Sequence, residues 1–337
     1  MDYKMNLTQE ELDILNGSKG EAMAKVMKTL VMYGDAFGAT KMVPVTSKMG
    51  HLVTSFGLKV MKPVYDLMDQ LIAGGALSGQ KFTVDPKPLD PKVPANLLQK
   101  LVFNKFMYSM QDSYDAQLTK LGLLDSKSYT CTCYMDEVGN KPAKGDVLSW
   151  AESSAVVYAN SVLGARCNRN SGIIELFGSI VGFVPYFGLL TDEGRKATWV
   201  VEIKTTKKPE AQILGSAIGM KVMEDVPYVK GLDKWIGTEL DGDATAYLKD
   251  FGAATASITS PTSLPRQSSR VKLSSQRAQR PMLSTTPSLI ESRQITPSCG
   301  KIKMRSRSSA SSAARICPER SSSSGPTMSP PSLRRTA

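Results

Sequence analysis

Three cysteines are the most chemically suggestive residues of the chain. Cys131, Cys133 and Cys167 are the only thiols in the first 257 residues. Cysteine thiolates are the usual ligands of iron–sulfur clusters, and three of them leave one iron with an open position. A strand over Thr130–Tyr134 would point Cys131 and Cys133 to one face, because residues i and i+2 of a strand share a face. The alternative is that the thiols are buried structural side chains.

His51 is the only histidine of the chain, so histidine-based proton transfer has one possible position. It lies in a segment with Ser47, Lys48 and Gly50 that is predicted to be a loop. One hypothesis is a role in catalysis or substrate contact, and the other is a hydrogen-bonded structural histidine. No Gly-rich phosphate loop, zinc quartet or nucleophile elbow is present in the sequence.

A predicted helix carries a largely uncharged polar stripe. The helix spans Leu148–Val162, with Asp146 as its N-cap and Gly164 as its end. At about 100° per residue, one stripe of this helix holds Ser149, Glu152, Ser153 and Asn160. A solvated helix face is the alternative to a functional one.

A short polar turn follows this helix and ends at Gly172. Arg166 and Arg169 are arginines, whose planar guanidinium groups match carboxylate and phosphate in a bidentate manner. Asn168 lies between them and adds an amide. The turn is therefore predicted to bind an anionic group, with a solvated loop as the alternative.

The elements that must position these residues alternate between helices and strands. Helices are predicted after the capping box Thr8-x-x-Glu11, which Gly17 ends, and over Glu21–Tyr33 with Gly34 as its stop, Leu58–Ala73, Asn96–Met110 and Pro209–Met220. Strands are predicted over Phe82–Val84 and Trp199–Ile203, and Val43–Val45 is a short apolar run. Such alternation is typical of an α/β protein with mainly parallel sheets flanked by helices.

The last 80 residues differ from the first 257. Residues 258–337 contain 14 Lys and Arg against two acids, so they carry +12 of the total net charge of +11 and leave −1 for the rest. They contain 21 serines and no aromatic residue. Such a segment buries too little apolar surface to offset its ordering entropy. We expect residues 1–257 to form the folded region and residues 258–337 to be a disordered basic Ser/Arg/Pro-rich tail.

Three origins of the tail are open: a basic arm that binds nucleic acid, an inert extension, and a coding sequence translated out of frame. The third is favoured, because permitted codons for residues 284–317, read two nucleotides later, yield aromatic residues and a Gly-Cys-Pro-His segment. Nucleic-acid binding is the weakest of the three, because a tail without aromatic residues cannot stack on bases. An inactive, truncated product is therefore one hypothesis for the chain.

No window of the sequence holds 18 apolar residues, and the nearest approach, Ser179–Leu190, is broken by glycine and proline. We expect no membrane span. The amino terminus lacks the layout of a secretory signal. Five cysteines in 337 residues do not form a disulfide framework. These features favour a cytoplasmic location.

Several motifs together resemble the large, catalytic part of the aconitase X family, from about Leu7 to Ser257. The motifs that carry the resemblance begin at Leu7 (Leu-Thr-Gln-Glu-Glu-Leu), Gly34 (Gly-Asp-Ala-Phe-Gly), Tyr129 (Tyr-Thr-Cys-Thr-Cys-Tyr), Trp150 (Trp-Ala-Glu-Ser-Ser) and Tyr158 (Tyr-Ala-Asn-Ser-Val-Leu-Gly-Ala-Arg). The resemblance implies an aconitase-like α/β fold. It also implies a dehydratase (hydro-lyase) of a small hydroxy acid: cis-3-hydroxy-L-proline is the first expectation and mevalonate 5-phosphate the alternative.

The resemblance also implies a cofactor, a partner and residue roles. The cofactor is an iron–sulfur cluster or a mononuclear iron, with Cys131 and Cys167 as ligands and a third ligand in a late Gly-Cys-Pro-His segment that the visible sequence lacks. Cys133 stands where many relatives have proline. The implied partner is a separate small swivelling subunit, which would make a heterodimer. Glu152, Ser153 and His51 are predicted to move protons, and the predicted substrate-binding residues are Ser154, Asn160, Arg166, Asn168 and Arg169.

Overall fold

The computed structural model describes residues 3–53, 55–89, 94, 96–125, 127–223 and 225–257, and the backbone of three strands at 272–273, 301–306 and 311–315. The remainder of the tail, on which the prediction of disorder falls, lies outside the described residues. No helix within the described part is long and apolar enough to cross a membrane.

Ten α-helices are present in the described residues. They are α1 Gln9–Leu15, α2 Glu21–Ala36, α3 Lys62–Ala73, α4 Leu97–Gln99, α5 Gln111–Leu121, α6 Ser153–Tyr158, α7 Gly172–Val181, α8 Ala211–Val222, α9 Asp233–Ile236 and α10 Gly242–Ser257. Helices α4 and α6 continue as π-helical turns over Lys100–Met107 and Ala159–Leu163, and 3₁₀ turns form at Lys59–Met61 and Gly188–Leu190.

The described part of the chain contains nine strands in three sheets. They are β1 Met42–Pro44, β2 Met49–Leu52, β3 Lys81–Val84, β4 Phe183–Pro185, β5 Trp199–Lys204, β6 Pro227–Lys230, β7 Lys272–Leu273, β8 Lys301–Ser306 and β9 Ser311–Arg315. Strands β2 and β3 pair in parallel, β1 and β4 pair antiparallel, and the third sheet has the order β7-β6-β5-β8-β9. In the third sheet β5, β6 and β7 are parallel to one another. Strand β8 pairs antiparallel with both of its neighbours, β5 and β9.

The predicted α/β class is confirmed, and parallel pairing dominates up to Ser257. The antiparallel pairs are β1 with β4 and the two pairs that β8 and β9 make in the tail. The sequence gives no signal for these tail strands. A strand ladder is formed by backbone groups, which every residue except proline can supply, so composition is a weak guide to it.

A parallel layer larger than β2 and β3 lies in the middle of the molecule. Isolated parallel bridges join Val84 to Tyr129, His51 to Trp150 and Val147 to Arg166. We call β2, β3 and these three flanking segments the site layer. All five backbone segments run in one direction, so their carboxyl ends meet at a single edge.

Three apolar cores hold these elements. The first joins α1–α3, α5 and α7 around Leu30, Met68 and Phe82, and the second joins β5, β6, α8 and α10 around Phe251. The third surrounds Trp150 beneath α6. Burial of apolar side chains contributes about 25 cal/mol per Å² to folding, so these cores fix where the site layer lies.

Local signals explain the helix ends that the sequence predicts well. The Thr8 side chain accepts from the Glu11 amide while the Glu11 carboxylate accepts from the Thr8 amide, so the predicted capping box is confirmed. Gly164 has φ 74° and ends the π-helical turn, as predicted. Gly34 does not end α2 but lies buried inside it. Only glycine fits at this position, because a Cβ there would lie 2.7 Å from the Pro185 Cβ.

Three predictions around the site are wrong. His51 lies in β2 and not in a loop. The segment Thr130–Tyr134 forms turns and not a strand, and the helix predicted from Leu148 begins only at Ser153. Before the helix begins, the segment 148–151 bonds to β2 at His51 and to Arg166, as part of the site layer. The polar stripe therefore does not exist as one helix face.

Candidate active site

The carboxyl edge of the site layer collects most of the predicted catalytic groups. Asp85 follows β3, Cys131 follows the bridge at Tyr129, and Glu152 follows the bridge at Trp150. In α/β proteins, ligands bind at the carboxyl ends of parallel strands, where loop side chains converge. We call the group of Asp85, Cys131, Glu152 and the adjoining His51 the edge cluster.

Glu152 is the N-cap of α6. Its carboxylate accepts hydrogen bonds from the backbone amides of Ser154 and Ala155, at 2.9 and 2.6 Å. It also accepts from the hydroxyl groups of Ser154, at 2.7 Å, and Ser153, at 3.4 Å. A carboxylate whose oxygens accept from four donors is fixed in place. Glu152 therefore supplies fixed negative charge at the edge.

His51 is completely buried in β2. Its Nδ1 lies 2.9 Å from the Thr83 hydroxyl, and its Nε2 lies 3.5 Å from Asp85 Oδ1. Burial by itself lowers the pKa of His51, but the neighbouring Cys133 thiol and the Asp85 carboxylate raise it to about 10. The edge of the Trp150 ring packs against the imidazole, with ring centroids 5.8 Å apart.

Asp85 and His51 carry two buried atoms that lack a well-formed hydrogen bond, Asp85 Oδ1 and His51 Nε2. Burial raises the pKa of Asp85, while His51 lowers it and Glu152 raises it further. Natural proteins seldom leave buried polar atoms unpaired, so such atoms point to a functional role. Sequence reasoning missed Asp85, although its position directly after a predicted strand was an available signal.

The three cysteines have different surroundings. Cys131 is partly exposed, and burial together with the charges of Glu152 and Asp85 raises its pKa. Cys133 is buried beside His51 in the core around Trp150. The predicted common face of Cys131 and Cys133 is wrong, because the segment is a turn and the Tyr134 ring stacks on Tyr158 with centroids 4.1 Å apart.

Cys167 lies in the same core and is fully buried. Its thiol approaches the carbonyl oxygens of Leu148, Trp150 and Asn168 at 3.8, 3.4 and 3.1 Å. Burial raises its pKa well above the ordinary value, with Glu175 as a further cause. As placed, Cys167 is a neutral thiol among carbonyl groups.

The residues expected to hold iron do not fit that group as placed. Within the described ranges, no three His, Cys, Asp or Glu side chains are arranged to hold a metal ion. Cys131 is at the edge and Cys167 is sealed in the core, so the described part of the chain does not present them as one ligand set. The two ligand roles stay predictions.

The predicted anion-binding turn is tied to the protein itself. Arg166 donates to the Leu190 carbonyl at 2.7 Å and forms an ion pair with Asp192. Asn168 donates to the Phe187 carbonyl at 3.1 Å and accepts from the Leu189 amide at 2.8 Å. Both side chains therefore fasten the segment from Phe187 to Asp192 to the site layer, with their polar groups in use.

Asn160 and Arg195 complete this fastening. Arg195 donates to Asn160 Oδ1 at 2.6 Å and to the carbonyls of Asn160 and Ala165 at 3.1 Å each. The Asn160 amide donates to the carbonyls of Val156 and Cys167, at 2.9 Å each. We call Arg166, Asn168, Asn160 and Arg195 the brace. Arg169 is half-buried beside it and has interactions of its own.

A second carboxyl group that sequence reasoning missed is Glu175 in α7, which is 1% exposed. Asn170 donates to its Oε1 at 2.6 Å, and Ser149 lies 3.0 Å from its Oε2. Burial raises the pKa of Glu175 to about 8, although both hydrogen bonds act in the other direction. The Ser149 hydroxyl donates its hydrogen to the Glu175 backbone carbonyl at 2.5 Å. Its oxygen can therefore accept a hydrogen bond from the protonated Glu175 side chain.

The fold and the edge cluster define an α/β protein with an acidic site at the carboxyl edge of parallel strands. Comparison with known proteins is consistent with that class. The model of the aconitase X first domain matches residues 4–193. The crystal structure of Thermococcus kodakaraensis aconitase X in its holo-form superposes with a TM-score of 0.62 at 31% identity, covering 80% of this chain and 61% of that chain.

Because the domain model matches more than half of the chain, the chain belongs to the aconitase X family. It is 34% identical over 253 residues to the phosphomevalonate dehydratase large subunit of Thermococcus kodakarensis, which covers 74% of this chain and 58% of the relative. It is 28% identical over 269 residues to cis-3-hydroxy-L-proline dehydratase of Hypocrea jecorina, covering 77% and 41%. The chain thus spans 58% of the first relative and 41% of the second. Both relatives are named as dehydratases.

Proposed function

We propose that the chain is the large subunit, or part of the large subunit, of a hydro-lyase that acts on phosphomevalonate. The relative named phosphomevalonate dehydratase large subunit is 34% identical, against 28% for the hydroxyproline enzyme. The comparison therefore favours the alternative expectation over cis-3-hydroxy-L-proline. The name of the relative also supports a small subunit as partner.

The observation that carries the proposal is the unpaired Asp85–His51 couple at the carboxyl edge of the site layer. Removing water from a hydroxy acid requires a base for the carbon proton and an acid for the departing hydroxide. His51 Nε2 lies 3.5 Å from the Asp85 carboxyl group and lowers its pKa, while burial and the charge of Glu152 raise it.

The proton steps balance at Asp85. As its carboxylate, Asp85 takes the carbon proton of the substrate. The resulting carboxylic acid gives that proton to the hydroxide as the carbon–oxygen bond breaks, so water leaves and the carboxylate is restored. Ser153 and Ser154, held by Glu152, offer hydroxyl groups to the substrate. Glu152 itself is assigned to positioning, because four donors occupy its oxygens.

Iron enters the proposal only as a family expectation. Cys131 is the thiol of the edge cluster, so it would be the ligand at this edge. In members of the family that hold iron, the metal would act as a Lewis acid on the hydroxyl group. No step above depends on it. A cytoplasmic location remains an expectation from the sequence.

The test is a dehydration assay with two substrates. The full chain, co-produced anaerobically with the small subunit encoded by the same genome and supplied with iron and sulfide, is incubated with phosphomevalonate or with cis-3-hydroxy-L-proline. Product is followed by NMR. We expect water loss from phosphomevalonate. Turnover of cis-3-hydroxy-L-proline alone would assign the other substrate, and turnover of neither would favour an inactive product.

A further inference from the structure

The Thr83 hydroxyl lies at the meeting point of three polar groups beneath the edge cluster. His51 Nδ1 lies 2.9 Å away, the Asn140 amide nitrogen 3.0 Å away and the Gly50 carbonyl oxygen 3.3 Å away. Thr83 and His51 are fully buried and Asn140 is 3% exposed. These groups are shielded from bulk water, so they satisfy one another's hydrogen-bonding capacity.

The orientation of the Asn140 amide is fixed by a backbone group. A carbonyl oxygen can only accept, and the Asn140 side chain meets the Gly50 carbonyl at 2.9 Å. The atom facing that carbonyl must therefore be the amide nitrogen. The same nitrogen donates its second hydrogen to Thr83, so one lone pair of the hydroxyl oxygen is always in use.

On the Nε2 side of the imidazole lies a carboxyl group. His51 Nε2 faces Asp85 Oδ1 at 3.5 Å, and the Cys133 thiol is the other titratable neighbour. Opposite a carboxylate, Nε2 is best placed as a hydrogen-bond donor. Any change in the protonation of His51 must therefore occur at Nδ1, the atom that faces Thr83.

The single hydrogen of the Thr83 hydroxyl has two positions that satisfy every partner. With neutral His51, it points to Nδ1, and Gly50 keeps its bond from Asn140. With charged His51, Nδ1–H donates to Thr83, and the hydroxyl hydrogen points to the Gly50 carbonyl. A buried imidazole otherwise loses a partner in one of its two states, at a cost comparable to an unmade hydrogen bond.

We propose that Thr83, held by Asn140, is a positioning residue whose hydroxyl group rotates between Nδ1 of His51 and the Gly50 carbonyl, so that buried His51 can gain and lose a proton with all its partners satisfied. Asp85 transmits the change to the edge, where Glu152 is its next charged neighbour. The use of this proton in dehydration depends on the proposed function, but the rotation itself does not.

The chain offers a direct measurement, because His51 is its only histidine. The full chain is produced with ¹⁵N-labelled histidine and a tag without histidine, and long-range ¹H–¹⁵N spectra are recorded from pH 5 to 11. The proposal expects one reversible titration in which the neutral form carries its hydrogen on Nε2. A neutral form with hydrogen on Nδ1, or a ring that keeps one protonation state throughout, would overturn it.

Two substitutions of Thr83 provide the matched comparison. Thr83→Ser keeps the rotating hydroxyl, and we expect a titration midpoint within about 0.3 pH units of the unmodified chain. Thr83→Val keeps the shape and removes the acceptor for charged Nδ1–H, so the pKa of His51 should fall by about one unit, a tenfold change in proton affinity. Equal midpoints in Val and Ser variants would refute the proposal. If the Val variant does not fold, the tautomer of the unmodified chain still decides.

Activity provides a separate readout. If the proposed function holds, Thr83→Val should shift the pH profile of kcat/KM in the same direction as the NMR midpoint, and Thr83→Ser should leave the profile in place. A shifted NMR midpoint without any dehydration would retain the rotation and reject the function. A shifted midpoint with an unshifted activity profile would reject its link to catalysis.

Discussion

The edge cluster and the brace lie at the ends of neighbouring segments of the same parallel layer, yet they differ in how their polar atoms are used. In the brace, Arg195 has three carbonyl or amide partners within 3.1 Å, and Asn168 uses both ends of its amide. In the edge cluster, Asp85 Oδ1 and His51 Nε2 remain without a well-formed bond. Unpaired groups are free to act on a substrate, whereas paired groups hold the fold. Residue type alone does not distinguish these situations.

The largest expected effect comes from Asp85. Replacing Asp85 with Asn keeps the shape and removes the proton acceptor, so we expect kcat/KM for phosphomevalonate to fall by at least about 100-fold. Steady-state kinetics with the small subunit present checks this. Asp125→Asn is the matched control, since that carboxylate lies in an exposed turn and accepts from Ser128 and Lys127. Equal kinetics for the two variants would remove Asp85 from the reaction.

Arg195 tests the other region. Replacing Arg195 with Met leaves the Ala165 and Asn160 carbonyls without their donor, and we expect the free energy of unfolding to fall by about 3 kcal/mol. Urea denaturation followed by tryptophan fluorescence measures it. The account predicts that KM changes less than threefold in the folded variant. A large rise in KM with unchanged stability would make the brace a binding site.

Glu175 gives the next effect through pH. Its folded pKa of about 8 lies above its ordinary value of 4.5, so the folded state binds more protons and stability falls as pH rises between these values. We expect a loss of about 3 kcal/mol between pH 5 and pH 8. Glu175→Gln, which matches the neutral form, should flatten this slope in denaturation curves. The same slope in both proteins would show that Glu175 does not titrate.

Arg166 gives the smallest effect. Its ion pair with Asp192 is exposed on the carboxylate side, and such pairs contribute about 0–1 kcal/mol. Arg166→Gln should therefore lower stability by less than about 1 kcal/mol and leave KM for phosphomevalonate within threefold. A tenfold or larger rise in KM would restore the predicted role of Arg166 in holding the substrate anion.

The sequence predicts those parts of the fold that local chemistry decides. The Thr8 capping box, the glycine end at Gly164 and the strands β3 and β5 follow from nearby residues, and the structure confirms them. The start of α6 was misplaced because Trp150 pairs with His51, about 100 positions earlier in the chain. A long-range pairing of this kind leaves no periodic signal.

The candidate site was half predictable for the same reason. His51, Cys131 and Glu152 were found by type and motif, and the structure brings them to one edge together with Asp85. Asn160 bonds to the Val156 carbonyl in α6. Asn168 bonds to the Phe187 carbonyl and the Leu189 amide. No spacing rule in the sequence reveals these backbone partners. Asp85 offers one signal in the sequence, its position directly after a predicted strand, and the buried imidazole beside it in the structure is what distinguishes it from exposed acids.

The most direct test of the central claim uses the single histidine as a reporter. Histidine-labelled chain is titrated with phosphomevalonate, and calorimetry measures binding in the same buffer. If the substrate binds at the edge cluster, the Nε2 signal of His51 shifts and saturates at the calorimetric Kd, while Arg195→Met still binds. Saturable binding with an unchanged His51 signal would contradict the account and place the substrate elsewhere.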